Sequence, residues 1–172
     1  MADTKISALT TDSAPDRVAD YAPTYDASAI GTKKVLLSDF GVITYMFYWA
    51  QGVAPADSTT YYLSPFAANG LATTAANQKI YIPRAGKITG VRLFGAASVL
   101  GTAENSTFSV RLNDTTDTTI SSVVVFNATP FTIVNTSLSI AVSVGDFINV
   151  KAVTPAWVTN PTVTMYAMVY QS

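Results

Sequence analysis

The chain is rich in residues that suit a pleated sheet and poor in those that suit an exposed helix. It holds 24 Thr and 15 Ser, and Glu104 is its single glutamate. Thr, Val, Ile, Tyr and Phe pack well on a half-buried pleated surface, whereas solvent-facing helix positions favour Glu, Lys and Gln. An all-β fold is expected. Charged residues make up 12% of the 172 residues, about half the share of roughly 25% usual in soluble domains. Hydroxyl side chains fill the difference.

Charge divides the chain in two. Residues 1–41 carry six acidic and four basic side chains, whereas residues 42–172 carry only eleven charged groups. The first part also holds Pro15, Pro23 and Gly31, with isolated apolar positions such as Ile6, Leu9, Val18, Val35 and Leu37. So few apolar side chains cannot offset the entropy of ordering a core. The expected organisation is a segment over 1–41, an aromatic-rich connector over 42–58 and a β head over 59–172. The connector contains Ile43, Tyr45, Met46, Phe47, Tyr48 and Trp49 before Gly52 and Pro55. It suits either a first strand or short helix covering the head, or a surface between subunits, where large aromatics are enriched.

From Thr59 onward, apolar runs and turn residues alternate at short spacing, which favours a sandwich or barrel over a parallel sheet with helices. Strands are expected at 59–64, 78–82, 87–95, 107–113, 119–126, 131–134, 137–143, 147–153 and 162–171. Phe108, Val110 and Leu112 alternate with Ser109 and Arg111, so one face of that strand is core and the other wet or shared. Val123 to Phe126 and Met165 to Tyr170 are apolar on both faces. Such strands need cover from a second sheet or a neighbouring subunit, so a homotrimer is expected.

The composition also restricts chemistry. The net charge is −1 and no basic run is present, so phosphate-backbone binding is disfavoured and no nucleic-acid partner is expected. The strongly apolar run at 42–50 is about half the length that crosses a bilayer, and no membrane insertion is expected. Without His or Cys, the usual base of nucleophilic triads and the commonest metal ligands are missing. Only carboxylates remain for catalysis: beyond residue 41, Asp57, Glu104, Asp114, Asp117 and Asp146. Two acids can cleave a glycosidic bond, but Asp114 and Asp117 lie in a polar turn and Asp146 follows Gly145 in another. Each reads better as a turn residue. No enzyme, metal or cofactor is expected. Sugar binding calls instead for exposed aromatic faces, for which Tyr61, Tyr62, Tyr166, Tyr170 and above all Trp157, between Pro155 and Pro161, are candidates.

Two stretches resemble known families. Ile82 to Val91, then Phe108 to Asn113, then Leu138 to Val150 with its Val144-Gly145-Asp146 turn, resemble the trimeric jelly rolls related to the C1q and tumour necrosis factor fold. The resemblance covers about 110 residues and implies a jelly-roll sandwich preceded by an extended N-terminal anchor. Asp3 to Leu9, an acidic Pro-containing middle, and Thr32 to Phe40 resemble the opening segment of many tailed-phage structural proteins. That segment implies attachment to the particle, with Ile6, Leu9 and Val35 as small apolar plugs and Lys33 and Lys34 meeting an acidic coat surface. Together the resemblances imply a homotrimeric capsid decoration or head-fibre protein on the virion surface, bound to the major capsid or another virion protein. The alternative is a receptor-binding tail or neck fibre tip that contacts a host-surface glycan through Trp157.

Overall fold

The computed structural model describes residues 21–26, 31–36, 41–49, 52–66, 71–124, 126 and 129–172. The chain divides into two compact units, Met1–Val42 and Ile43–Ser172. In the first, β1 (Tyr21–Asp26) pairs antiparallel with β2 (Gly31–Leu36). The expected docking positions Lys33, Lys34 and Val35 lie in β2, opposite Thr24, Pro23 and Ala22. Ile6 and Leu9 lie outside the described residues.

The second unit contains β3 (Ile43–Tyr48), β4 (Thr60–Tyr62), β5 (Ile80–Tyr81), β6 (Gly86–Val99), β7 (Ser106–Leu112), β8 (Thr116–Val124), β9 (Phe131–Asn135), β10 (Ile140–Val142), β11 (Phe147–Val153) and β12 (Thr162–Gln171). No helix occurs among the described residues, and every strand pair is antiparallel. One sheet runs β10-β6-β12-β3, with β9 also paired to β6; the other runs β4-β11-β7-β8, with β5 also paired to β11. Buried side chains of both sheets form a single core.

Alternation of side chains explains how the strands fill that core. In β12, Val163, Met165, Ala167, Val169 and Gln171 are buried, while Thr164, Tyr166, Met168 and Tyr170 point the other way. The start of the aromatic-rich stretch is itself a strand, because Tyr45, Phe47 and Trp49 point inward at every second position and β3 pairs with β12. Trp49 stands 5.8 Å from Tyr61, 6.0 Å from Phe108 and 6.2 Å from Phe126, tying the two sheets together. The pairing of β6 with β12 slips at two places, skipping Ser98 and Thr89, and the second slip leaves both Ile88 and Val91 buried. A bulge of this kind adds one residue to one strand and resets its inward set.

Turn chemistry places the outer ends of the second sheet. Asn113 and Asp114 have φ of 51° and 57°, and the Thr115 amide donates to the Leu112 carbonyl. Two successive left-handed residues make the tight hairpin whose twist matches the flanking strands, and Asn and Asp tolerate that conformation. β8 therefore begins at Thr116, three residues before the sequence pattern suggested. β10 is shorter than expected, confined to Ile140–Val142.

Candidate functional site

The outward faces of the two sheets differ in chemistry. On the β6-β12-β3 side, register pairs Tyr48 with Tyr166 and Tyr166 with Phe94, so three aromatic side chains cross the sheet in one row. The Phe94 and Tyr166 rings lie 5.4 Å apart. The next row runs Met46, Met168, Arg92, Val134. Met46, Phe94 and Val134 keep 39%, 38% and 50% of their surface exposed. Tyr48 and Tyr170 place their hydroxyls 3.8 Å from the sulfurs of Met46 and Met168. Met, Tyr and Phe side chains thus adjoin one another on this sheet face, with Arg92 beside Met168. The sequence singled out Met165 to Tyr170 as two-faced, and the structure adds Met46, Tyr48 and Phe94 from other strands. Of the other two-faced run, the side chains of residues 123–125 lie outside the described residues, and Phe126 is fully buried.

The opposite sheet turns a charged face outward. Asp117 accepts from Arg111 Nη1 at 3.2 Å and from Lys151 Nζ at 2.6 Å. Asp114 accepts from Lys79 Nζ at 2.5 Å and from Asn149 Nδ2 at 3.2 Å, and its backbone carbonyl accepts from Arg111 Nη2. Lys79 also stands over the Phe147 ring, 4.1 Å from its centre. Exposed ion pairs of this kind contribute about 0 to 1 kcal/mol each.

The remaining carboxylates hold backbone. Asp146 accepts from Asn113 Nδ2 at 2.9 Å and from the Ser143 amide at 2.7 Å. The Asn113 side chain, then the Ser143 amide, keep its carboxyl below the ordinary range. Glu104 meets the Val158 amide at 3.3 Å, and its carboxyl is likewise lowered, chiefly by the Thr102 hydroxyl. Asp57 accepts from the Trp157 amide at 3.3 Å. Each of the five carboxylates is thus engaged by a cation, an amide or a backbone N–H. Among the described residues no group of three or more Asp or Glu is placed to hold a metal ion.

Trp157 is 5% exposed, with its ring 6.2 Å from Phe126. It is a core residue in this unit, because the 154–161 loop folds its indole inward; the exposed ring face expected for a glycan contact is not built by Trp157. Tyr61 is likewise buried, and its hydroxyl accepts from the Ala56 amide at 2.9 Å. Among known proteins, no family model and no curated sequence matches this chain.

Proposed function

We propose that the protein is a virion structural protein, a homotrimeric capsid decoration or head-fibre protein that acts by assembly and not by catalysis. The observation that carries this reading is the outward row of Tyr48, Tyr166 and Phe94 beside Met46 and Met168. A second copy covering this face would bury apolar surface that one subunit leaves in water.

The strand order supports the finer fold assignment. If β4 with β5, and β9 with β10, are each counted as one interrupted strand, the sheets read 1-8-3-6 and 2-7-4-5. That order matches an eight-strand jelly roll made of two interlocked Greek keys. Particle attachment rests on the resemblance of residues 1–41 to phage structural proteins, with Ile6, Leu9, Lys33, Lys34 and Val35 as the docking set. The glycan-binding fibre tip loses its leading residue with the burial of Trp157.

Native mass measurement tests assembly: three copies of the 18.2 kDa chain are expected, and a monomer at micromolar concentration removes the reading. Deleting residues 1–40 tests attachment. The shortened protein should remain a folded trimer yet fail to add to particles that lack it.

A further inference from the structure

We propose that Lys79 and Asn149 are the two halves of an intramolecular amide cross-link, formed with loss of ammonia under the assistance of Asp114. The arrangement lies on the charged outer sheet and is independent of the assembly proposal. β5 and β11 pair Tyr81 with Phe147 and Ile80 with Ile148. One step further along that register brings Lys79 alongside Asn149. The left-handed turn at Asn113 and Asp114 then sets one carboxylate across both side chains: Oδ2 on Lys79 Nζ at 2.5 Å, Oδ1 on Asn149 Nδ2 at 3.2 Å. An amine and a primary amide bridged by one carboxylate are a nucleophile, an acyl group and a proton shuttle held together. Fixing reacting groups in this way converts a slow bimolecular aminolysis into an intramolecular one, provided the atoms close to about 3 to 3.5 Å.

Two further features fit that chemistry and have no role in a plain ion pair. Asn149 is fully buried and its carbonyl oxygen accepts no hydrogen bond. Arg111, its partner across the β7–β11 ladder, has a buried Nε–H that donates none. Arg111 is held by Asp117 and by the Asp114 carbonyl. An unengaged donor on the residue paired with Asn149 is available to stabilise negative charge developing on Asn149 Oδ1.

The step balances without any external reagent. Lys79 Nζ passes a proton to Asp114, and its lone pair attacks Asn149 Cγ while the carbonyl π pair moves onto Oδ1. Asp114 then gives its proton to Nδ2, the Cγ–Nδ2 bond breaks, and ammonia leaves as the carbonyl re-forms. The second proton shed by Nζ goes through Asp114 to ammonia, so the products are a secondary amide and one ammonium ion. Nothing is oxidised or reduced. The event happens once per chain, and Asp114 ends as the carboxylate it began as.

Denaturing mass measurement of the full chain tests this directly. The expected mass is below that of the sequence by one ammonia, and trypsin should leave Val35–Arg84 joined to Leu112–Lys151 through Lys79 and Asn149, with no cleavage after Lys79. Lys79→Met and Asp114→Asn should each restore the full sequence mass. A wild-type chain at full mass after prolonged incubation overturns the proposal. So does an ammonia loss without that joined peptide, which would mark a cyclised asparagine elsewhere.

Discussion

Met168 stands directly across the β3–β12 pair from Met46, and both side chains point away from the core. Their outward neighbours include Tyr48, Tyr166 and Phe94, while Arg92 stands across β6–β12 from Met168, so a charge introduced at Met46 falls on the apolar part of the face. Met46→Glu is expected to shift the assembly toward monomer by sedimentation or native mass, because an unpaired carboxylate would be desolvated in the contact. The isolated subunit should stay folded, since the position lies outside the core. A Met46→Glu protein that still forms trimers would place the contact on another surface.

Phe126 is fully buried and touches four aromatic rings: Trp49, Phe108, Phe131 and Trp157 at 6.2, 6.2, 5.3 and 6.2 Å. Truncation removes the side chain on which residues from both sheets converge. Phe126→Ala should cost about 3 to 5 kcal/mol in chemical denaturation, the range for large-to-small changes at buried aromatics. A loss under 1 kcal/mol would mean that the site collapses around the cavity or is already solvated.

Gly95 has no room for a side chain, because a Cβ there would meet the Phe131 ring at 2.4 Å and the Thr164 carbonyl at 3.0 Å. Making room shifts the Phe131 ring, which stands 5.3 Å from the Phe126 ring. Gly95→Val should therefore destabilise by about 1 to 3 kcal/mol, the usual cost of overpacking. Pairing it with Phe131→Ala should recover part of that loss, and a double-mutant cycle with no coupling would refute the clash.

Asp146 supplies the pH dependence of the β10–β11 turn. Its carboxyl is lowered below the reference value of 3.8 by Asn113 and the Ser143 amide. A lowered folded value means that the contribution is present above the unfolded value and lost as pH falls through the folded one. Wild type should thus lose stability below about pH 4 more steeply than Asp146→Asn does. Parallel acid limbs in the two denaturation profiles would exclude this origin.

Local patterning was enough to find most of the strands, though not β1 and β2. Nine of them were anticipated from alternation and turn residues, because the two-residue period of a strand is written into consecutive positions. β3 was left between a strand and a short helix, since eight apolar residues crowded into nine positions satisfy either period until β12 supplies the pairing partner. Trp157 was misplaced for a related reason: prolines on both sides mark a loop, yet they do not reveal that the loop folds its indole onto Phe126.

The sequence by itself determined the all-β class, the charge boundary near Gly41 and the two-faced character of Met165 to Tyr170. Each follows from composition or from neighbours along the chain. Only the tertiary structure decided that Met46 and Phe94 share a face with Met168, and that Lys79, Asp114 and Asn149 meet although 35 residues separate each acid contact. Those meetings depend on strand register and on one left-handed turn, and a one-residue slip in register would send each side chain to the opposite face of its sheet.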